Sequence, residues 1–284
     1  MIQSIKLTEI MKVLLQRSWQ RLTKRKGSYR MVVLSKESLG AAGFLSPAYK
    51  KSRHVELDPD FLKSNRCVSI SPDAPETESY RQLRIQILQR IAKLGGNAVM
   101  ITSALAGEGK TLTAINLALT FSRDFSQTVL LVDCDLRRQS IHEYLGIHNG
   151  GGLPDYLLDG TPLDNIIIWP GIDKLTLISG GKTILESAEL LRSPRMVELV
   201  GEMKSRYNDR IILFDVPPVL AAADAASFAP LVDHIVVVTM ANETRMRDVK
   251  KALALLPEEK ILGLVLNRHG KPRKQYYYPS YPTE

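Results

Sequence analysis

The sequence predicts an α/β fold: a mostly parallel sheet with helices on both faces, preceded by an N-terminal helical and linker extension. Apolar runs of strand length recur at 98–102, 128–132, 175–178, 211–214, 235–239 and 261–266. Helical segments lie between most of them, at 110–121, 187–203 and 244–255. The first run passes through a glycine-rich turn into the first of those helices. Continuous apolar runs, unlike alternating ones, belong to strands buried on both faces, and interleaved helices supply the cover.

With 284 residues, 44% hydrophobic and 24% charged, the chain is long enough for one sizeable core and an appendage. No stretch reaches the roughly 18 consecutive apolar residues of a membrane helix, and the N-terminus lacks the order of a signal peptide. A cytoplasmic protein is expected. Cys67 and Cys134 form neither a disulfide framework nor a metal spacing and read as reduced thiols. The net charge of +8 is localised: residues 1–30 hold eight Lys/Arg against Glu9 alone, so +7 of it lies there. A charge confined to one terminus is not a nucleic-acid groove, and no nucleic-acid partner is expected.

Taken in order, Leu7, Met11, Leu14, Leu15 and Leu22 recur at helical spacing among Lys6, Lys12, Gln16 and Gln20, which predicts a basic amphipathic helix over 7–22. Two readings stay open for it, contact with an acidic membrane surface or partner, and a terminal helix packed on the domain. Residues 23–76 mix Lys/Arg, Gly, Ser and Pro without a period and read as a partly ordered linker. Beyond it, Leu83, Ile87, Ile91 and Leu94 mark a helix face that Gly95-Gly96 stops. The expected domains are therefore a basic helix and linker at 1–75, a main domain at 76–270 and a tail at 271–284.

The turn after the first strand reads Ala104-Leu-Ala-Gly-Glu-Gly-Lys-Thr111. This is a P-loop with Ala104 at the first glycine position. Gly107 and Gly109 let backbone N–H groups converge on phosphate oxygens at a helix N-terminus, where the helix dipole favours an anion. Lys110 would reach the β and γ phosphates and the Thr111 hydroxyl would bind Mg²⁺, so ATP with Mg²⁺ is the expected ligand. The second strand ends in Asp133-Cys-Asp135, whose alternate residues share a side, and the fourth ends in Asp215. Carboxyl ends of parallel strands are where ligands bind, so three aspartates there predict a metal site.

These motifs resemble the Walker A, Walker A′ (Asp133-Cys-Asp135-Leu-Arg137) and Walker B (Phe214-Asp215-Val-Pro-Pro) motifs of the bacterial tyrosine kinases that govern capsule and exopolysaccharide synthesis. Glu78-Ser-Tyr-Arg81-Gln-Leu-Arg84 is similar to that family's Glu-x-x-Arg-x-x-Arg motif, and Gly263-Leu-Val-Leu-Asn267-Arg268 resembles the terminal strand and Asn of deviant-Walker P-loop ATPases. The resemblance spans residues 74–284 and implies a P-loop NTPase fold of the deviant Walker type. It assigns the nucleotide cradle to Ala106, Gly107, Glu108, Gly109, Lys110, Thr111 and Leu112, with Asn267 at the adenine. Lys110, Asp133, Asp135 and Asp215 become catalytic residues, with Asp133 activating a tyrosine hydroxyl, and Thr111, Asp133 and Asp215 hold the metal. It further implies a homo-oligomeric ring built through Glu78, Arg81 and Arg84, and a membrane chain-length regulator as activator, with recruitment to the inner face of the plasma membrane. Protein tyrosine substrates and a cognate tyrosine phosphatase complete the implied partners.

The last nine residues hold Tyr276, Tyr277, Tyr278 and Tyr281, four of the ten tyrosines in the chain. A polar terminal segment suits phosphorylation in trans better than it suits a core. The rivals are a nucleotide-gated scaffold and a positioning ATPase. The second usually carries a signature lysine early in the P-loop, where this chain has Ala104-Leu-Ala106.

Overall fold

All six apolar runs form strands, and two short strands join them in one eight-stranded sheet. The computed structural model describes residues 52–124, 126–207 and 209–269. In chain order the strands are β1 (Arg53–His54), β2 (Ala98–Ser103), β3 (Thr128–Asp133), β4 (Ile167–Trp169), β5 (Leu175–Ile178), β6 (Arg210–Asp215), β7 (His234–Met240) and β8 (Ile261–Asn267). The helices are α1 (Pro59–Ser64), α2 (Pro75–Leu94), α3 (Lys110–Phe121), α4 (Ile141–Leu145), α5 (Leu153–Asp159), α6 (Leu163–Ile166), α7 (Ser187–Leu191), α8 (Pro194–Arg206), α9 (Asp224–Phe228) and α10 (Met246–Ala254).

The sheet order is β1, β4, β5, β3, β6, β2, β7, β8. Strands β5 through β8 are mutually parallel, whereas β4 runs antiparallel to β5 and β1 parallel to β4. β2, β3, β5 and β7 are buried at every position, as continuous apolar runs require. Two apolar clusters form, one per face; Phe214 meets Phe228 edge-on at 5.0 Å in the first, and α3 lies in the second. Every residue of α3 except Leu112 is buried, the polar Lys110, Thr111, Thr113, Asn116 and Thr120 included.

The structure revises two expectations. The single helix read over 187–203 is two: Pro194 starts α8, with the Ser193 hydroxyl accepting from Met196 N at 3.3 Å as its N-cap. The linker read over 23–76 ends well before Glu76. Leu62 and Cys67 are fully buried, β1 pairs with β4, and the Asn116 side chain on α3 accepts from Ser69 N at 2.9 Å and donates to Arg66 O at 3.1 Å. These pieces are too short to display a period, so composition alone read as linker. The amphipathic helix read over 7–22 lies outside the described residues.

At the amino ends of β2 and β7 sits a closed polar knot. Asp233 accepts from Asn97 N at 2.9 Å and Ala98 N at 3.0 Å and pairs with Lys204 of α8. Burial alone would raise its pKa, but the lysine and the two N–H groups hold it below the ordinary value. Gly96, at φ +79°, passes so close that a Cβ there would lie 2.6 Å from the Asp233 side chain.

Candidate active site

The P-loop joins β2 to α3, and two left-handed glycines shape it, Gly107 at φ +84° and Gly109 at φ +89°. Gly109 is required twice over, since a Cβ there would also fall 2.3 Å from Asn267 Nδ2. That amide donates to Glu108 O at 2.9 Å, so the end of β8 is laced to the loop. The Glu108 carboxylate is buried and engaged within the protein: Leu105 N donates to it at 2.8 Å and so does the Thr244 hydroxyl. Its place in the predicted cradle is thus architectural on the side-chain side. Ala106 and Gly107 are exposed on the loop, and Leu112 lies one turn into α3, half-buried.

Lys110, Thr111, Asp133, Asp135 and Asp215 converge at the carboxyl ends of β2, β3 and β6, all buried. The Lys110 ammonium is 2.7 Å from Asp135 Oδ2 and 3.2 Å from Asp215 Oδ1. The Thr111 hydroxyl donates to Asp215 Oδ2 at 2.5 Å. Burial works against the charge on Lys110, yet Asp215 and Asp135 outweigh it and hold the ammonium above the ordinary lysine range. Asp133 is turned away from the lysine toward backbone donors, accepting from Asp135 N at 3.1 Å and from Ser140 N and Ile141 N at 3.3 Å. Burial and the negative Asp215 nonetheless push its carboxyl up to about 8. Burial likewise raises Asp215, against the pull of Lys110 and Thr111.

Among the described residues no group of three or more His, Cys, Asp or Glu is arranged to hold an ion by itself, and the Lys110 ammonium pairs with Asp135 and Asp215. The donor set fits Mg²⁺ that arrives with phosphates. Thr111 and Asp215 present a hydroxyl and a carboxylate oxygen side by side at the α3 N-terminus, and Mg²⁺ typically takes one or two such oxygens while phosphates and waters complete its octahedron.

The three residues read as a ring motif separate. Glu78 and Arg81 pair with each other at 3.3 Å on the α2 surface, where Arg81 also donates to Pro72 O at 3.0 Å. Arg84 instead turns inward, donating to Thr120 O at 2.7 Å at the end of α3 and lying 3.8 Å from Asp124. Tyr276, Tyr277, Tyr278 and Tyr281 lie outside the described residues. Sequence reasoning missed Ser140, whose N–H caps Asp133 and whose hydroxyl is 3.4 Å from that of Thr111, and Thr244, the partner of Glu108. A serine one residue before the short helix α4 was the available sign of the first; nothing local marks Thr244.

No described helix is long and apolar enough to cross a membrane. Residues 96–275 match the ParA family, described as NUBPL iron-transfer P-loop NTPase. The tyrosine-protein kinase YwqD of Bacillus subtilis is 32% identical over 225 residues, 78% of this chain and 93% of that protein. The putative tyrosine-protein kinase EpsB of Ralstonia solanacearum is 31% identical over 74% of this chain, which spans only 28% of that longer protein. The kinase domain of Escherichia coli tyrosine kinase ETK superposes with a TM-score of 0.67 at 25% identity, covering 87% of this chain and all of that one. A nucleotide-binding P-loop, aspartates at the carboxyl ends of β3 and β6 and these likenesses lead to one assignment: the chain belongs to the bacterial tyrosine-protein kinases, on the ParA-type P-loop NTPase fold.

Proposed function

We propose that this chain is an ATP- and Mg²⁺-dependent protein-tyrosine autokinase that phosphorylates Tyr276, Tyr277, Tyr278 and Tyr281 of a neighbouring copy and thereby regulates exopolysaccharide or capsule polymerisation and export. The observation that carries the reading is the Lys110 ammonium set between Asp135 and Asp215, with Thr111 bonded to Asp215. Phosphoryl transfer asks a protein for positioning and charge neutralisation more than covalent chemistry, and this cluster offers both.

Lys110 leaves its carboxylates for the β and γ phosphates, which the Gly107 to Gly109 backbone cradles. Thr111 and Asp215, with Asp133, would hold Mg²⁺, which would supply charge neutralisation at those phosphates. The tyrosine oxygen attacks the γ phosphorus, the bond to the β–γ bridging oxygen breaks and ADP leaves. In its ionised form Asp133 takes the phenolic proton; its raised proton affinity narrows the gap to a hydroxyl of pKa about 10. Asn267, laced to the P-loop, faces the adenine.

On this reading 76–270 is the catalytic domain, 271–284 the acceptor tail and 1–75 the basic extension, with β1 and α1 serving the catalytic domain. Glu78 and Arg81 meet the next protomer of a ring, and a membrane chain-length regulator recruits and activates the chain at the inner face of the plasma membrane. Each phosphate adds about −1.5 to −2 charge, enough to loosen a ring seated on a basic tail, and a cognate phosphatase reverses this.

Incubating the purified chain with Mg-ATP and mapping phosphotyrosine by mass spectrometry tests the proposal, with Lys110→Met as control. Tail phosphotyrosine in the wild type alone supports it. Its absence even with a membrane partner's cytoplasmic segment present would replace the kinase with a nucleotide-gated scaffold.

A further inference from the structure

Beside the nucleotide cluster lies a second ionic group that phosphoryl transfer as described does not use. Asp224, at the start of α9, is fully buried, and its Oδ2 accepts no hydrogen bond. Its other oxygen accepts from the Ser187 hydroxyl, which opens α7. Arg137 completes the group: its Nε donates to Ser187 Oγ at 2.9 Å and sits 3.4 Å from Asp224 Oδ2. Burying a carboxylate without its cation is costly, so Asp224 and Ser187 clamp this one arginine in place. Yet the clamped side chain is 46% exposed. Its two terminal nitrogens have no partner among the described residues.

The location is the crevice itself. Arg137 follows Asp135 by two residues, and Ile184 N donates to Leu136 O at 2.9 Å, which brings the loop after β5 against this turn. The segment after β6 that leads to Asp224 bonds the start of the P-loop, through Val219 N to Ser103 O at 2.8 Å and Leu220 N to Ala104 O at 3.2 Å. Arg137 therefore stands on the turn that follows β3, two residues beyond Asp135, with its side chain half exposed. A guanidinium held by its Nε is a preorganised bidentate receptor for a phosphate, and a lysine there would be only a point charge.

The tail supplies a matching ligand. Four tyrosines fall within six residues, so after the first transfer every later acceptor brings a phosphate along with it. Three carboxylates against one ammonium repel that phosphate. We propose that Arg137 is a specificity-determining residue that reads phosphotyrosine: its fork holds a phosphate already placed on the tail while the next tyrosine of the cluster enters beside Asp133. This rests on the autokinase reading above and adds that phosphorylation of the tail is sequential and favours a partly modified tail.

Binding without turnover separates the two. The probes are peptides of residues 268–284, one unmodified and one carrying phosphotyrosine at Tyr278, bound to the full chain with its own four tail tyrosines changed to Phe, in the presence of ADP and Mg²⁺. The wild-type background is expected to prefer the phosphopeptide by about tenfold or more, as a bidentate charge-assisted pair provides. Arg137→Lys should lose the preference. So should Arg137→Ala combined with Asp224→Asn, which leaves no unpaired buried charge to unfold the protein. Nucleotide affinity should stay unchanged in both, and Arg138→Ala, an exposed neighbour, should keep the preference. Equal binding of the two peptides to the wild type overturns the proposal. So does a preference that survives both Arg137 variants, or one that Arg138→Ala removes as fully. A chain that never phosphorylates its tail fails the autokinase reading, whereas equal binding in a chain that does fails this inference alone.

Discussion

At the amino ends of β2 and β7, Asp233 meets one lysine and two backbone N–H groups; at the carboxyl ends of β2, β3 and β6, Lys110 pairs with Asp135 and Asp215 while Asp133, beside them, turns to backbone N–H groups. Both clusters pair aspartate with lysine across long stretches of sequence. In the first, donors match acceptors and the carboxyl is held below its usual pKa. In the second, carboxylates outnumber cations, and Asp133 and Asp215 are driven upward. A matched cluster fastens the fold. An overcharged one stores affinity for a ligand that brings its own charges, which is how a functional site departs from local optimality.

Lys110→Met gives the largest separation between the two ends. It should lower phosphotransfer by about 10³-fold, the order expected when a preorganised donor to a transferring charge is removed, while the urea midpoint stays within reach of the wild type. A comparable loss of fold would mean that the lysine is a fastener too. Next comes Asp233→Ala, expected to cost about 2–3 kcal/mol because it orphans two N–H groups and an ammonium. Thermal unfolding reads the loss, and nucleotide affinity per folded molecule should not change.

Each end also has a glycine pressed against its key side chain, which allows a matched pair of tests. Gly96→Ala forces a Cβ onto Asp233, and Gly109→Ala forces one onto Asn267, both at positive φ. Each should cost about 1–2 kcal/mol of strain. Only Gly109→Ala should also weaken nucleotide binding in a fluorescent-nucleotide titration; equal weakening by Gly96→Ala would erase the distinction between the ends.

The last contrast is in pH. Asp233, with its folded pKa depressed, contributes stability above the unfolded value of about 4 that is lost as pH falls through the folded value. Asp133, raised to about 8, keeps a proton in the folded state that the unfolded chain has released. Stability of the nucleotide-free protein should therefore decline as pH rises from about 4 toward about 8, by at most about 1.4 kcal/mol per pH unit for one proton. Urea midpoints of the wild type against Asp133→Asn check this, and the gap should widen across that window. A gap that narrows as pH rises would break the contrast.

Much of this was legible in the sequence because it is written locally. The six long strands are apolar runs, the P-loop is a contiguous motif, and Asp133, Asp135 and Asp215 end strands that read clearly. What was not legible is written across distance. β1 and β4 have two and three residues, too few to show a period. Residues 53–70 join the core through single side chains such as Leu62 and Cys67. Arg84 matches a surface motif in sequence, and only the position of the last turn of α3 shows that it is spent capping Thr120 O. The pairing of Lys110 with Asp135 and Asp215 likewise depends on contacts between residues far apart in the chain.

The strand order has a consequence for the newborn chain. β3, β5, β4 and β1 can zip together once residue 178 has been made, but β2 pairs only with β6 and β7 and waits for both. Until then the strand that leads into the P-loop is an unpaired apolar ribbon, the kind of exposed segment that invites misassembly during synthesis. β6 ends the wait by inserting between β3 and β2, and its last residue is Asp215. The residue that clasps Lys110 therefore arrives on the strand that welds the two halves of the sheet, so the phosphate pocket is complete only once those halves are joined.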